Sequence, residues 1–365
     1  MSLCDLRDQL GALDRELIEL VAKRQQLAAA IGREKRRVGV PVRDFQQERD
    51  VLERARRIAA ESGVSPTIAE ELMLCLIRAS LTAQEQQDVQ RSGGGSGKRA
   101  LVIGGAGRLG SWFARFLAAQ GFDVEVADPA GPLEGFAHRA DWNAGAVDHD
   151  LVVVAAPLGA TDGVLLELAG RRPTGVVFDV GSIKRPLAAG HRALRDAGVR
   201  TTSIHPMFGP DTDLLSGRHV ILVDLGDDDA NAVARELFGS TMATMLTMDV
   251  ERHDELIAFV LGLSHATNIA FFTALAESGE ASTQLADMSS STFDAQLAVA
   301  QRVAAESPEL YFEIQARNEF APGALDALAR SVDKIRSCVR DDDADAFRRL
   351  MEAGHAYLSR RVARG

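Results

Sequence analysis

A short glycine-rich turn constrains the fold of this chain more than any other feature. The stretch RALVIGGAGRLGSWFARFLAAQG, residues 99–121, has the pattern of a buried strand, a glycine turn and an amphipathic helix. Gly105, Gly107 and Gly110 give the spacing G-x-G-x-x-G between that strand and that helix. Such glycines let a pyrophosphate approach the backbone, and the helix N-terminus offers N–H donors. The pattern predicts a dinucleotide site; a purely structural strand–turn–helix is the alternative.

Neighbouring residues extend this predicted cofactor site. Arg108 and Leu109 occupy the two positions before the last glycine, at the start of the helix. Asp128 ends the next strand-like run, DVEVADP, where a carboxylate accepts hydrogen bonds from a ribose diol and repels a 2′-phosphate. We therefore expect NAD rather than NADP as the cofactor. Further runs, DLVVVAAP and GVVFDVGS, alternate with helical segments, which predicts a doubly wound, Rossmann-like parallel sheet.

The charge and cysteine content limit the partners and the compartment. A net charge of −11 argues against nucleic acid or an anionic membrane as the main partner. Residues 1–91 carry as many basic as acidic side chains, which indicates a separate module with an anionic ligand of its own. Three cysteines form no disulfide framework and indicate a reducing compartment. No N-terminal signal core is visible, and no apolar run approaches the ~18–20 residues that span a membrane. We expect a cytoplasmic protein that acts on small molecules without a metal.

Three predicted domains and a linker follow from changes in periodicity along the chain. They are an all-helical module, a Gly/Ser linker, the NAD-binding domain and a helical substrate and dimerisation domain, at residues 1–90, 91–97, 98–248 and 249–365. The linker has the composition of a flexible segment. In the first module, apolar residues recur at helical spacing over residues 3–38, and GVP at 39–41 ends that helix; two more helices are predicted at 44–60 and 66–89. So long a helix cannot bury its apolar stripe alone, and we therefore expect a homodimer that pairs through it.

Charged and polar residues of the helical module recur at helical spacing. Three pairs each share one helix face, being four residues or about three turns apart: Asp44 with Glu48, Ser80 with Gln84, and Arg24 with Lys35. Arg7 lies on the same helix as Arg24 but points in another direction, toward a partner subunit. These residues are candidates for binding an anionic ligand, and ordinary solvated helix charges are the alternative.

The same module resembles the all-helical chorismate mutase family. The segments LRDQLGALDRELIELVAKRQQLA, GREK, PVRDFQQERD and RASLTAQ carry the resemblance. It implies that Arg24 and, across a dimer, Arg7 grip the two substrate carboxylates, and that Lys35 and Gln84 bond the ether oxygen. Claisen rearrangement needs no acid, base or metal. It needs a dianion held in a compact shape, with donors where negative charge grows on the breaking C–O bond.

The acidic side of this implied site includes one departure from the family. The resemblance implies that Asp44 and Glu48 meet the C4 hydroxyl of the substrate, with Ser80 nearby. Gln47 stands where the family has an arginine, which removes one anion contact. A non-catalytic ligand sensor or dimerisation module is therefore the alternative for residues 1–90.

From Lys98 onward the chain is similar to the prephenate dehydrogenase family. The motifs HPMFGPD, DVGSIKRPL and ERHDELIAFVLGLSH carry the similarity. It implies that His205 bonds the C4 hydroxyl and takes its proton as hydride passes to NAD, with Ser182 on the same hydroxyl. His265 is implied to line the substrate pocket, and His253 is expected to be structural. A neutral imidazole near pH 7 suits the role of base.

Together the two resemblances indicate the bifunctional chorismate mutase/prephenate dehydrogenase family, which converts chorismate to prephenate and then to 4-hydroxyphenylpyruvate on the way to tyrosine. One departure leaves the substrate open. The family carries an arginine after an asparagine, whereas here Arg317 precedes Asn318 and Glu319 follows it. Either Arg317 binds the substrate in the arginine's place, or Glu319 replaces it and suits a cationic amine at C4. The alternative is therefore the same two reactions on 4-amino-4-deoxychorismate and 4-amino-4-deoxyprephenate.

Overall fold

The computed structural model of the protein describes residues 2–40 and 43–362. The proline of the predicted helix break, Pro41, and the last three residues of the predicted C-terminal domain lie outside these ranges. The chain divides into two compact units, which are described separately. One unit contains the N-terminal helices and the sheet, and the other contains the C-terminal helices with two short segments, 157–165 and 181–192.

Three helices form the N-terminal module, as the sequence predicts: α1, Leu3–Arg37, α2, Phe45–Glu61, and α3, Pro66–Ser92. Ser2 starts α1 with a capping box: its hydroxyl accepts the Asp5 N–H at 3.1 Å, and the Asp5 carboxylate accepts the Ser2 N–H at 2.7 Å. Pro66 lies in the first turn of α3, where its missing N–H leaves no helical bond unmade. The apolar stripe of α1 is largely uncovered within the chain. Between 45% and 67% of the surface is exposed at Leu3, Leu6, Leu10, Leu13, Leu17, Leu20, Leu27 and Ile31.

The predicted Gly/Ser linker is a close-packed turn in the structure rather than a flexible tether. Helix α3 continues to Ser92, and the following turn lies against the segment after helix α4 (Arg108–Ala119). A Cβ on Gly93 would overlap the backbone of Gln120, and a Cβ on Gly95 would overlap Phe122. The N–H of Gly95 also donates to the Gln120 carbonyl at 3.1 Å. Glycine is used here for close approach, so its abundance is no measure of mobility.

An eight-stranded sheet forms the centre of the same unit, in the order β3-β2-β1-β4-β5-β6-β7-β8. The first six strands are parallel, and β7 runs antiparallel to β6. The strands are β1 Arg99–Ile103, β2 Asp123–Ala127, β3 Ala137–Arg139, β4 Leu151–Val154, β5 Val176–Asp179, β6 Thr201–Pro206, β7 His219–Val223 and β8 Thr244–Met248. Helices α4, α5 (Leu158–Arg171), α6 (Ala188–Asp196) and α7 (Asp228–Gly239) connect them. The predicted doubly wound α/β architecture is confirmed.

An aromatic cluster binds α4 and α7 to the sheet. Trp112 stacks on Phe116 at 4.8 Å between ring centroids, and Phe116 stacks on Phe238 of α7 at 5.2 Å. Phe113 contacts Phe178 of β5 edge-on at 6.1 Å, and both are fully buried. Burial of each such ring contributes on the order of 2–3 kcal/mol. The apolar residue Val89 of α3 belongs to this same core, which joins the N-terminal module to the sheet.

Helices make up the C-terminal unit: α8 Val250–Ile257, α9 Ser264–Glu277, α10 Ser282–Asp287, α11 Ser291–Ala304, α12 Pro308–Ala316, α13 Ala321–Arg340 and α14 Ala344–Val362. A π-helical segment, Ala258–Leu263, joins α8 to α9. Within the continuous helical stretch Val250–Glu277, an 18-residue window has a mean hydropathy of 1.6, so by length and composition the stretch could cross a membrane. The expectation that no stretch approaches that length is therefore corrected. The same test is passed by core helices of globular proteins, and four polar residues of this stretch are buried: His253, Asp254, His265 and Asn268.

We expect Gly95→Ala to lower the free energy of unfolding by about 1–3 kcal/mol, because the added methyl group overpacks against Phe122. Gly94→Ala is the matched control, since its Cβ would meet only the flexible end of Glu236. Both variants share the gain from a less flexible unfolded chain. Urea denaturation of the two proteins measures the difference, and equal midpoints would contradict a packed linker.

Candidate active sites

Helices α1 and α3 bring the predicted mutase residues Arg24 and Ser80 together. The Arg24 guanidinium donates to the Ser80 hydroxyl and to the Leu76 carbonyl, each at 3.1 Å. The Ser80 hydroxyl also lies 3.0 Å from Gln25 Oε1. Partial burial lowers the pKa of Arg24, which still leaves it a cation at neutral pH. These contacts therefore hold the positive charge of Arg24 in a fixed position between α1 and α3.

Gln84 joins the same face through a close contact with α1. Its side chain lies against Gly32, where a Cβ would come within 2.9 Å of its Cδ, and its Nε2 donates to the Ala28 carbonyl at 2.7 Å. Lys35 lies one turn further along α1 and is half-buried. Arg24, Ser80, Gln84 and Lys35 thus occupy facing surfaces of two helices. Helical spacing alone did not identify Gly32, whose lack of a side chain allows Gln84 to lie against α1.

The predicted acidic pair and Arg7 have different surroundings. Asp44 caps α2, since its carboxylate accepts the Gln47 N–H at 3.0 Å, and Glu48 is held by the Arg43 guanidinium at 3.0 and 3.2 Å. Helical spacing did not predict the capping role of Asp44. Arg7 is exposed and lies about 25 Å from Arg24 along the helix axis, so a single chain does not bring it to the other candidates.

The glycine turn fits a dinucleotide cradle. Gly104, one residue ahead of the predicted motif, has φ +80° and donates to the Ala127 carbonyl at 2.8 Å, and a Cβ on Gly110 would overlap its carbonyl oxygen. Gly107 is the N-cap of α4 and has no side chain to occupy the N–H groups of the first turn. Arg108 and Leu109 stand in this first helical turn, the part of a helix that binds a pyrophosphate in dinucleotide folds.

Asp128 follows β2 and is tied to this turn. Its two carboxylate oxygens accept the N–H groups of Ala106, at 3.0 Å, and of Ala130, at 2.8 Å, and only 8% of the residue is exposed. Each oxygen retains a second lone pair for a ribose hydroxyl. The carboxylate therefore holds the glycine turn in place, in addition to its predicted contact with a ribose.

His205 lies at the same edge of the sheet as the glycine turn. Because β1, β2 and β6 are parallel, Gly104, Asp128 and His205 all stand at their carboxyl ends. The strand order reverses at β1 and β4, the point where open α/β sheets bind ligands. Three strand spacings separate β1 from β6, about 14 Å. His205 is 4% exposed and pairs in register with Ile221 of β7.

In the C-terminal unit, the turn that contains Ser182 is held by one buried carboxylate. Asp254 of α8 accepts the N–H of Lys184 at 3.0 Å and that of Arg185 at 2.9 Å. Its side chain also lies 2.7 Å from His253 Nδ1, and its carbonyl accepts the Asn318 amide at 2.8 Å. His253 is fully buried in this network. Asp254 was missed because a single acidic residue in a helix carries no sequence signal.

His265 is a buried imidazole with an uncommitted nitrogen. Its ring stacks on Tyr311 with the centroids 4.0 Å apart, and its Nδ1 has no hydrogen-bond partner among the residues that the structure describes. Burial lowers the pKa of His265, so the ring is neutral at pH 7. The π-helical segment directly before α9 shifts its helical register, a feature that recurs at functional sites.

Arg317 and Glu319 each have a counterion. Arg317 lies 3.3 Å from the Glu313 carboxylate, and Glu319 pairs with Arg185, next to the Ser182 turn. All four side chains except Glu313 are more than a third exposed. Both charges are therefore balanced within the chain. No group of three or more metal-ligating side chains is present in the described part of the chain.

Three family models match separate parts of the chain. The family model for chorismate mutase type II matches residues 6–85. The models for the nucleotide-binding and dimerization domains of prephenate dehydrogenase match residues 133–245 and 249–353. The chain is 34% identical over 273 residues to the 4-amino-4-deoxyprephenate dehydrogenase of Streptomyces pristinaespiralis, which covers 71% of this chain and 90% of that protein. The chain belongs to the prephenate dehydrogenase family.

The chain also matches another relative over nearly its full length. It is 28% identical over 346 residues to the T-protein of Enterobacter agglomerans, over 94% of this chain and 89% of that protein. The structure of prephenate dehydrogenase from A. aeolicus, solved with hydroxyphenyl propionate and NAD+, superimposes with a TM-score of 0.57 at 20% identity. It covers 72% of this chain and 98% of that one, which supports the fold. A chorismate mutase domain is thus fused to a prephenate dehydrogenase.

We expect His265 to titrate below the ordinary histidine pKa of about 6.5, because burial penalises the imidazolium. The folded-state pKa is lowered, so the contribution of His265 to stability is present above about pH 6.5 and is lost as the pH falls toward the folded value. Tyr311→Ala should uncover the ring and raise this pKa. The NMR titration of its ring resonance, assigned with His265→Gln, measures the effect.

Tyr357→Ala is the control, because this other tyrosine is 75% exposed on α14. It should leave the His265 titration unchanged. A His265 pKa at or above the ordinary value in the unmodified protein would contradict the buried neutral imidazole.

Proposed function

We propose that this enzyme rearranges chorismate to prephenate and then oxidatively decarboxylates prephenate to 4-hydroxyphenylpyruvate, with NAD as the oxidant. The observation that carries the proposal is the presence of both catalytic families in order on one chain, with 28% identity to a T-protein over 346 residues. The two arrangements described above, the α1–α3 face and the carboxyl edge of the sheet, suit the two reactions.

The mutase step rests on positioned cations and donors. Arg24 binds a substrate carboxylate, and Arg7 supplies the second cation across a dimer. Lys35 and Gln84 donate to the ether oxygen, where negative charge grows as the C–O bond breaks. The contacts of Arg24 with Ser80 and of Gln84 with Ala28 hold these donors before substrate binds, so little ordering cost remains.

The dehydrogenase step rests on the glycine turn and His205. The turn residues Gly105, Gly107 and Gly110 hold NAD, which accepts a hydride when bound; Arg108 and Leu109 contribute backbone N–H groups, and Asp128 takes the ribose hydroxyls. His205 accepts the C4 hydroxyl proton as that carbon becomes a carbonyl. The C1 carboxylate leaves as CO2, and its bonding electrons complete the aromatic ring.

Residues of the C-terminal unit complete the proposed substrate contacts. Ser182 bonds the C4 hydroxyl, and its turn is fixed by the bonds of Asp254 to the Lys184 and Arg185 amides. His265 lines the substrate pocket as a neutral ring, which adds no repulsion or attraction for the carboxylates. Arg317 provides a cation for one of them.

A second candidate substrate pair is favoured by one specific relative. The relative with 34% identity is a 4-amino-4-deoxyprephenate dehydrogenase. The departure at Glu319 is consistent with a C4 amine, since its carboxylate stands beside the Ser182 turn through its pair with Arg185. A cationic amine could take the place of that arginine on Glu319. The same two reactions would then give 4-aminophenylpyruvate.

We also propose a homodimer in the cytoplasm. The uncovered apolar stripe of α1 and the match of residues 249–353 to a dimerization domain support the dimer. A dimer would bring Arg7 of one protomer toward the mutase face of the other. The free cysteines Cys4, Cys75 and Cys338 are consistent with a reducing compartment, which supports the cytoplasmic location.

Substrate identity is tested by NADH absorbance. Purified full-length protein with NAD should turn over prephenate with a kcat/KM at least about tenfold above that for 4-amino-4-deoxyprephenate, a difference of about 1.4 kcal/mol in transition-state binding. The reverse ratio would replace the hydroxy substrates by the amino analogues. Failure of both compounds would overturn the proposed function.

Two substitutions should separate the reactions. Arg24→Ala removes a carboxylate contact and should lower the mutase kcat/KM by at least about a hundredfold, while NADH production from prephenate is retained. His205→Asn removes the base and should lower dehydrogenase kcat by about 10²–10⁴, while rearrangement is retained. Arg56→Ala is the control, since that arginine pairs with Glu70 on the exposed side of the module.

No rearrangement of chorismate above the uncatalysed rate by the unmodified protein would favour the ligand-sensor alternative for the N-terminal module. Dehydrogenase activity of His205→Asn equal to that of the parent would remove His205 from the proposed role.

A further inference from the structure

Helix α3 contacts both catalytic halves of the first unit with adjacent residues. Gln84 points to α1 and the mutase face, whereas Glu85 points to the sheet domain and is 3% exposed. The Glu85 carboxylate accepts the Leu215 N–H at 2.6 Å and also accepts the Met242 N–H. One side chain thus joins the mutase helix to two segments of the dehydrogenase domain.

The loop that Glu85 holds is the one that follows His205. Residues 207–218, here called the 207–218 loop, connect β6 to β7. In the middle of the loop, Asp211 pairs with Arg108 of the glycine motif at 2.9 Å. The next residue, Thr212, accepts the Trp112 indole N–H with its carbonyl at 3.0 Å. Helix α4 therefore holds one part of the loop and helix α3 the other.

Arg43 makes a second bridge to this loop. Its Nη1 donates to the Ser216 hydroxyl at 2.6 Å, while Nε and Nη2 bind the Glu48 carboxylate at 3.0 and 3.2 Å. The guanidinium also lies 4.2 Å from the centre of the Phe45 ring. The resemblance to chorismate mutases implies that Glu48 contacts the mutase substrate, and we propose the same role here. A single guanidinium is therefore shared between Glu48 of α2 and the 207–218 loop.

The buried Glu85 carboxylate depends on its two N–H donors for stability. Burial raises the pKa of Glu85, and the N–H bonds from Leu215 and Met242 oppose that rise. A buried carboxylate without donors would be strongly destabilised, so α3 and the loop hold each other in place. The carboxyl-terminal end of the loop is anchored too, because the Thr244 N–H of β8 donates to the Arg218 carbonyl at 2.9 Å.

We propose that Glu85 and Arg43 are positioning residues of the dehydrogenase, through which the mutase module holds the 207–218 loop beside His205. A ligand that engages Glu48 in the mutase pocket competes with Arg43 for that carboxylate and thereby changes dehydrogenase turnover. This inference rests on the proposed roles of His205 and Glu48. The attachment of the loop can nevertheless be measured without any enzymatic activity.

Hydrogen exchange tests the attachment. In Glu85→Gln the side chain keeps one acceptor oxygen and presents an NH2 group to the second amide, so one of the two bonds is lost. Amide exchange in a peptide covering residues 207–218 should become at least about tenfold faster, the loss of one bond worth about 1.4 kcal/mol. Glu70→Gln is the matched control: it lies on the same helix but pairs with Arg56 inside the module. Equal exchange in the two variants would overturn the proposal.

Coupling is tested with a non-reactive dicarboxylate analogue of the bicyclic rearrangement transition state. In the full-length enzyme, and in Arg56→Ala, a saturating concentration should change the dehydrogenase KM by about fivefold, a typical allosteric coupling. Arg43→Ala should show a raised KM that no longer responds to the analogue. An equal response of Arg43→Ala and Arg56→Ala would overturn the shared-guanidinium route.

Tryptophan emission provides a readout that needs no turnover. The chain has two tryptophans, and in a Trp142→Phe background the remaining Trp112 reports on the loop through its bond to Thr212. The analogue should shift this emission in the Arg56→Ala control and leave it unchanged in Arg43→Ala. Identical shifts in both would contradict the proposal even if neither candidate substrate were turned over, which separates its failure from that of the proposed function.

Discussion

The contact of helix α4 with the end of β1 is the constraint on which the dehydrogenase half depends. A Cβ on Gly110 would overlap the carbonyl oxygen of Gly104, so only glycine lets the helix begin there. Gly104 itself adopts φ +80°, a conformation that other L-residues rarely take. Because the helix starts at this point, its N-terminal N–H groups face the carboxyl edge of the sheet. Asp128 and His205 reach the same edge through parallel strands.

Helix α3 extends this constraint to the mutase half. Val89 of this helix is buried in the core of the sheet domain, and the glycines that follow the helix pack against Gln120 and Phe122. A glycine-rich segment is flexible when it is solvated, but here the absence of side chains allows two backbones to touch. The mutase helix and the loop after His205 consequently belong to one packed body, in which Glu85 and Arg43 are shared.

In the C-terminal unit, ion pairs within the chain neutralise Arg317 and Glu319, the two charged residues at which the sequence departs from the family pattern. Arg317 pairs with Glu313, and Glu319 pairs with Arg185. A reversal of order between arginine and asparagine therefore does not simply exchange a cation for an anion in this unit. Asp254 fixes the Ser182 turn independently of both pairs, through backbone amides. Under the proposed function, discrimination between a hydroxyl and an amine at C4 would rest on which of the two ion pairs a substrate displaces.

The sequence by itself determined the parts whose causes are local. Periodicity and glycine spacing are properties of neighbouring residues, so they were sufficient for the three N-terminal helices, the doubly wound sheet and the cofactor turn. Tertiary structure decided the rest, because long-range partners leave no mark on local spacing. The packed linker and the contacts of Glu85, Arg43 and Asp254 each depend on residues far apart in the chain, as the 130 positions between Glu85 and Leu215 illustrate.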